Sequence, residues 1–288
     1  MSIDPIVDAH HHVWDLSVRD QDWISGDALA PIRRDFALDD LESEASSAGV
    51  GATVLVQTLA VAEETPEFLA LAAASPLVAG VVGWVDLTAP DVTDAIAALR
   101  ALPGGEFLVG IRHLVQAEPD PQWLLRPDVT RGLAAVASAG LVYDLLVLPR
   151  QIPAAVTAVA SLPELTFVLD HLGKPPIVEG ELGPWADNIK ALAALPNTVC
   201  KLSGMVTEAA WDAWTVQDLR PFAETALDAF GPDRIMFGSD WPVCLLAASY
   251  RDVVDAARDL TGSLSPAEQA AVFAGTATRI YRLREGNR

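Results

Sequence analysis

The chain has 288 residues, of which 51% are hydrophobic and 20% are charged, a composition that supports a large buried core and excludes a disordered chain. Its formal net charge of −20 is unfavourable for binding nucleic acid or an anionic membrane surface. The length suits one α/β barrel of about 250 residues with extensions better than two domains. We therefore predict a single domain over residues 1–288.

The sequence also predicts a cytoplasmic protein. Cys200 and Cys244 are its only cysteines, so no disulfide framework is expected. The N-terminal segment MSIDPIVDAHHHVWD has neither a basic start nor a long apolar run, and no stretch of 18 uninterrupted apolar residues follows. Membrane partners are thus not expected, and the oligomeric state is left open.

Eight short apolar or β-branched runs alternate with alanine-rich segments of helical periodicity. The predicted strands are Ile6–His10, Ala52–Gln57, Val78–Asp86, Phe107–His113, Val142–Val147, Thr166–Asp170, Thr198–Leu202 and Arg234–Gly238. The helical segments include Thr65–Ala74, Val92–Ala101, Val129–Ala139, Pro153–Ser161 and Phe222–Phe230. This alternation predicts a parallel sheet covered by helices, and eight units favour closure into a (β/α)8 TIM barrel. An open, doubly wound sheet is the alternative.

Two long loops interrupt the alternation. The first runs from Val13 to Phe36, and a second, rich in proline and glycine, lies between His171 and Lys190. Both leave the C-terminal ends of strands, which is the face where barrels hold their active sites. Ordered loops of this length usually have a function.

All five histidines fall at or just after the C-terminal end of a predicted strand: His10, His11, His12, His113 and His171. Because side chains alternate along a strand, we expect His10 and His12 to face the barrel interior and His11 to face away. Two imidazoles on neighbouring inward positions can hold one divalent cation, or can donate together to an anionic oxygen.

Two acidic positions accompany these histidines. Strand six ends in Asp170-His171, and Asp240 follows strand eight. Asp240 is placed to take a proton from water, as hydrolysis at neutral pH requires, and a helix N-cap is its alternative role. His171 is a candidate ligand or acid–base residue. Asp170 either orients a neighbour or is a structural carboxylate.

Basic side chains at strand ends are candidates for substrate binding. Arg112 and His113 end strand four, and a guanidinium suits a carboxylate or a hydroxyl-rich molecule. A buried ion pair is the alternative for Arg112. Lys201, on strand seven, either faces inward as a positive charge for a developing oxyanion or pairs with an acid.

Aromatic side chains complete the predicted pocket. Trp14 and Trp23 lie in the first long loop, Trp241 follows strand eight, and Tyr143 lies on strand five. We expect Trp14, Trp241 and Tyr143 to contact substrate, and Trp23 to line the pocket with the other two tryptophans. A tryptophan in a long loop is as often a packing anchor.

Six segments carry these residues in order: VDAHHHVWD, VVGWVDL, GIRH, VLDHLGKP, CKLSGM and RIMFGSDWPV. Together they resemble the amidohydrolase superfamily (amidohydrolase-2 type), and within it the sugar-lactone and aromatic-pathway lactone hydrolases, the fuconolactonase-like branch. The resemblance covers the chain from Ile6 to Tyr281. It implies the same barrel that the strand pattern predicts.

The resemblance also implies roles for site residues. His10, His12 and Asp240 are the implied ligands of one divalent ion, with zinc expected, and Asp240 is the implied base beside His171. No lysine ends strand four, and strand five carries Tyr143-Asp144 where many members have a histidine, so a binuclear site is not expected. A metal-independent site is the alternative, because related lactonases need no metal.

We therefore predict an enzyme that hydrolyses a small-molecule substrate, a sugar or dicarboxylic lactone, with water that Asp240 activates. His171 would polarise the ring carbonyl or stabilise the oxyanion. The alternatives are a metal-dependent decarboxylase of the same superfamily, or a barrel that binds a metal or a sugar without turnover.

Overall fold

A computed structural model of the protein describes residues 5–283, in which eight parallel strands form one sheet in sequence order, β1 to β8. The strands are Ile6–His11, Val50–Val56, Val78–Gly83, Leu108–His113, Val142–Leu145, Phe167–Leu169, Thr198–Leu202 and Ile235–Phe237. Each overlaps the corresponding predicted strand, and the sheet curls into the predicted (β/α)8 barrel, so the predicted fold is confirmed. The third strand ends earlier than predicted, at Gly83 instead of Asp86.

Helices surround the sheet. Helices α1 to α10 are Leu38–Ala48, Glu64–Ala74, Val92–Arg100, Pro127–Ser138, Ile152–Ser161, Gly183–Ala193, Val216–Phe230, Tyr250–Leu260, Pro266–Ala270 and Thr276–Tyr281. Local sequence defines helix starts: Ser249 Oγ accepts from the Asp252 amide, and the Ser249 amide donates to the Asp252 carboxylate, in a capping box that begins α8. Within residues 5–283, no helix has both the length and the apolar character that a membrane crossing requires.

One predicted loop is shorter than expected. The segment assigned as loop up to Lys190 already contains α6, which begins at Gly183. Proline is compatible with the first turn of a helix, and Trp185, Ile189 and Leu192 bury one face at helical spacing. The glycine and proline residues that suggested a loop therefore mark the start of a helix.

The lower half of the barrel interior is apolar. Valines from several strands pack there, and Tyr281 from α10 closes the bottom. The outward faces of the strands pack against the helices in a second, larger cluster. Among residues 5–283, the buried polar side chains of the predicted site lie above this apolar cluster, toward the C-terminal ends of the strands.

Backbone hydrogen bonds at the ends of β1 and β8 close the barrel. The His12 amide donates to the Trp241 carbonyl at 2.7 Å, and the Asp240 amide donates to the His10 carbonyl at 2.8 Å. The first long loop lies across this seam: Trp14 and Phe36 form a bridge, and their rings pack edge to face. The loop is thus anchored, and it contains a short 3-10 helix, Asp27–Ile32.

Candidate active site

A β-bulge aims the histidines of β1. The register against β2 shifts between Asp8, which pairs with Thr53, and His11, which pairs with Leu55, so β1 carries one extra residue there. A bulge re-aims the side chains that follow it. His10 and His12 consequently face each other inside the barrel, with their Nε2 atoms 3.2 Å apart.

Asp240 completes a cluster with three imidazoles. Its Oδ1 lies 3.8 Å from Nε2 of His10, 3.5 Å from Nε2 of His12 and 3.8 Å from Nε2 of His171. All four side chains are almost fully buried. The structure therefore brings together every residue predicted for catalysis or metal binding.

His171 and Asp240 share an uncommon backbone conformation. Both lie in the left-handed region, with φ of 53° and 58°, which costs free energy in residues other than glycine. Strained backbone of this kind clusters at functional sites. The His171 ring is held by a 2.9 Å hydrogen bond between Nδ1 and Ser203 Oγ. Gly204, with φ of 62°, lies so close that a Cβ there would be 2.6 Å from Nδ1 of His171.

Burial sets the charges of this cluster. Burial lowers the pKa of His171 to about 4, and burial together with Lys201 holds the pKa of His10 well below its ordinary value. Both rings are therefore neutral at neutral pH. Burial alone would raise the pKa of Asp240, but His171 and His12 outweigh it and keep that pKa below its ordinary value. Asp240 is thus an anion beside the neutral rings of His10 and His171.

The geometry fits a single divalent ion. His12 Nδ1 lies 2.7 Å from the Val56 carbonyl, which can only accept, so Nδ1 carries the proton and Nε2 keeps its lone pair for a ligand. Ligand atoms at zinc distances in a tetrahedron are about 3.3–3.6 Å apart, close to the separations among His10, His12 and Asp240. These three residues form a candidate metal-binding group.

His11, in contrast, faces away from the cluster. It is fully buried, and neither ring nitrogen has a hydrogen-bond partner within residues 5–283. Burial lowers its pKa to about 3, so the ring is neutral. It takes no part in the candidate metal group.

A buried charge network lies beneath the cluster. Lys201 Nζ contacts Asp144 Oδ2 at 2.6 Å and Asp170 Oδ1 at 2.9 Å, and it lies 3.1 Å from His10 Nδ1. The Tyr281 hydroxyl donates to Asp144 from below. Lys201 is wholly buried and does not line the cavity, so of the two roles considered for it the structure favours pairing with acids.

Asp170 and Asp144 respond differently to this network. Burial alone would raise the pKa of Asp170, but Lys201, His10 and Arg112 hold it well below its ordinary value. Burial raises the pKa of Asp144 to about 6, against the opposing effect of Lys201. Asp170 is therefore an anion that connects Lys201 and Arg112 beside His10.

A cavity of about 330 Å³ opens above the cluster. His12, His171, Asp240 and Arg112 lie at its polar end. Its walls are largely apolar: Leu29, Leu114, Leu146, Val243 and Leu246 contribute, together with Trp23 and Trp211. A small ring compound with an apolar face fits such a site.

Two of the predicted substrate contacts face the helices instead. Arg112 and Asp144 are register partners that face the barrel interior, so His113 and Tyr143, one residue away on each strand, face outward. His113 stacks on Trp123 and contacts Glu118 at 2.8 Å, and Tyr143 packs edge to face on Phe167. Neither lines the cavity.

Two predicted tryptophans also lie outside the cavity. Trp241 is buried and packs on Phe36, and Trp14 packs on Phe36 and Trp23 while lining a separate cavity of about 680 Å³ beside α2. Both anchor the first long loop. For Trp14, which lies in the long loop, the contacts match the alternative role of a packing anchor.

Three features of the site were not predicted. Gln57, at the end of β2, holds Arg112 through its side-chain oxygen and its carbonyl. Trp211 and the Lys174–Glu208 ion pair, with 2.7 Å between Nζ and Oε1, line the mouth. Gln57 had a usable signal, since it is a polar residue ending an apolar strand, whereas the loop residues had none beyond their location after strands.

Comparisons with known proteins agree with this geometry. A family model described as amidohydrolase matches residues 7–283. The L-fucono-1,5-lactonase of Burkholderia multivorans is 41% identical over 97% of this chain and 96% of its own, and that of Burkholderia ambifaria is 37% identical over 96% and 95%. A solved structure of an amidohydrolase from Burkholderia multivorans with bound zinc aligns with a TM-score of 0.92, at 40% identity, over 97% of this chain and 100% of that one.

Proposed function

This chain belongs to the amidohydrolase family and is a hydrolase that opens a lactone ring, and we propose that its substrate is a neutral sugar lactone of the L-fucono-1,5-lactone class. The observation that carries the proposal is the position of Asp240. Its carboxylate lies within 3.8 Å of three imidazoles where the polar end of the cavity begins. A water molecule and a small carbonyl compound can meet there.

In this proposal Asp240 accepts a proton from the attacking water. The water oxygen bonds to the ring carbonyl carbon, the bond from that carbon to the ring oxygen breaks, and the proton passes to the ring oxygen. His171, neutral because burial lowers its pKa, polarises the carbonyl. The product is a hydroxy acid, which ionises and releases a proton, so turnover can be followed by acid release.

We further propose that His10, His12 and Asp240 hold one zinc ion. Their separations and the free lone pair of His12 support this, as does the zinc in the related structure. When bound there, zinc would acidify a water molecule and polarise the carbonyl. Even then, the residues of the chain still orient the water and shield the reaction from bulk solvent.

The charges of the cavity favour a neutral substrate. Each cation that lines it already has an acidic partner: Arg112 pairs with Asp170 at 3.0 Å and Lys174 with Glu208 at 2.7 Å. A second carboxylate on the substrate would have to displace one of these anions. A neutral sugar lactone instead offers hydroxyl groups to the ion pairs and C–H surface to the apolar wall.

A lactone panel tests the proposal. We expect kcat/KM for six-membered neutral sugar lactones to exceed that for dicarboxylic lactones by at least about 100-fold, because a paired cation is poorly available to a second carboxylate. The measurement is acid release in weakly buffered indicator solution, with and without a chelator. Carbon dioxide release would instead indicate the decarboxylase reaction, and no turnover of any lactone would contradict the proposal.

Gly204→Ala tests the position of His171. A Cβ at this position would press on the imidazole, so we expect kcat/KM to fall by about 100-fold, the cost of displacing a reacting group by about 1 Å. The matched control is Gly180→Ala, which has a similar φ of 69° but no atom within 4 Å of the new Cβ. Equal activity of the two variants would contradict the proposed role of His171.

We also propose that the reaction takes place in the cytoplasm. Both cysteines, Cys200 and Cys244, are free and buried, which supports a reducing compartment.

A further inference from the structure

The guanidinium of Arg112 is held in one place by the protein. Its Nε and Nη2 donate to Gln57 Oε1 at 3.1 and 2.9 Å, Nη2 also donates to the Gln57 carbonyl, and Nη1 donates to Asp170 Oδ2 at 3.0 Å. The side chain is almost fully buried. A guanidinium with this many partners cannot move freely toward a ligand.

The same Nη1 lies 3.2 Å from Nε2 of His10. Arginine only donates, so this contact is favourable when Nε2 of His10 is an acceptor and Nδ1 carries the proton. Asp170 Oδ1, 3.3 Å from Nδ1, suits a proton there. Lys201 Nζ, 3.1 Å from Nδ1, and His12 Nε2, 3.2 Å from Nε2, suit the opposite tautomer, in which Nε2 carries the proton. In either tautomer, Arg112 places a fixed positive charge beside Nε2 of His10.

A metal ion bound by His10 would need a lone pair on Nε2. A ring nitrogen has one lone pair, and His10 belongs to the candidate metal group with His12 and Asp240. An ion held there would displace the hydrogen bond from Arg112 and would lie beside a fixed positive charge. In the other tautomer of His10, Nε2 carries a proton, which the ion would have to displace instead.

We infer that Arg112, fixed beside Nε2 of His10, opposes a metal ion at that atom and thereby sets a low metal affinity, an inference that rests on the metal site proposed above. In the metal-free protein, Arg112 supplies a positive charge on the Nε2 side of His10. The residue is thus a determinant of metal affinity, and its protein partners leave its guanidinium poorly available to a substrate carboxylate.

The test is zinc affinity, measured on metal-stripped protein by competition with a chromophoric chelator, without any lactone present. We expect Arg112→Gln to raise zinc affinity at least tenfold. Gln57→Met, which removes the side-chain acceptor holding the guanidinium but keeps Arg112, should raise it at least threefold. Arg220→Gln removes an equal charge from an exposed ion pair with Asp259 and should leave the affinity unchanged.

Circular dichroism and thermal melting establish that each variant is folded. Unchanged or weaker zinc binding by folded Arg112→Gln overturns the inference. If that variant does not fold, unchanged binding by Gln57→Met overturns it. The measured quantity is zinc affinity, so the test remains valid even if the protein does not hydrolyse lactones. If the variants are active lactonases but their zinc affinity is unchanged, only this inference is refuted.

Discussion

Replacing Asp240 by Asn should reduce kcat by about 1,000-fold or more while leaving the fold intact. An amide cannot take a proton from water, and general base catalysis typically contributes about 10²–10⁴-fold. The backbone of residue 240 keeps its left-handed conformation, because Asn tolerates that region as well as Asp does. The rate is measured by acid release with the preferred lactone, and the fold by circular dichroism.

Asp233→Asn is the matched control for this variant. Asp233 lies just before β8 at the opposite end of the strand, and it is exposed. The same loss of charge there should leave kcat unchanged. Wild-type turnover by Asp240→Asn would show that another group activates the water.

Lys201→Met should lower the free energy of unfolding by about 3–5 kcal/mol, the cost of leaving buried charges without their partner. Lys201 is the cation that separates Asp144 from Asp170, and all three side chains are fully buried. Removing it leaves two carboxylates facing each other inside the barrel. The measurement is chemical unfolding at neutral pH.

The exposed pair of Arg126 and Asp128 provides the comparison. Its atoms approach as closely, at 2.6 Å, but solvent screens both charges, so Arg126→Gln should lower the free energy of unfolding far less than Lys201→Met does. Adding Asp144→Asn to Lys201→Met removes one of the unpaired charges and should recover part of the loss. Similar losses for Lys201→Met and Arg126→Gln would mean that the buried network contributes no more than a surface pair.

The sequence predicted the barrel and the centre of the site because both follow from local pattern. Alternating β-branched and alanine-rich runs specify parallel strands and helices, and the C-terminal ends of such strands share one face of the barrel. His10, His12, His171 and Asp240 all end or follow strands, so their convergence followed from the fold alone. Their mutual distances required the three-dimensional structure.

The errors came from side-chain direction near strand ends. Arg112 and His113 are neighbours on β4, as Tyr143 and Asp144 are on β5, and strand geometry allows only one of each pair to face inward. The sequence offers no reason to choose Asp144 over Tyr143. The bulge in β1 makes two consecutive residues, Ala9 and His10, face the barrel interior. It arises from the pairing between β1 and β2, which the sequence of β1 alone does not specify.

The buried network could not be predicted because its members are distant in sequence. Tyr281 comes from the last helix and Asp144 from the fifth strand, and only barrel closure brings them to Lys201. Trp211 and Glu208 lie in a loop whose path has no periodic signal. Side chains fixed by tertiary contacts of this kind leave no trace in local periodicity.

The closure of the barrel has a consequence for how activity arises during synthesis. The hydrogen bonds that join β1 to β8 connect the His10 and His12 segment with the Asp240 segment, from opposite ends of the chain. A nascent chain that lacks its last strand therefore has imidazoles but no base. If the chain is cut between β4 and β5, each fragment should be inactive, and turnover should return only after the two fragments associate. Catalytic activity therefore indicates that the barrel has closed.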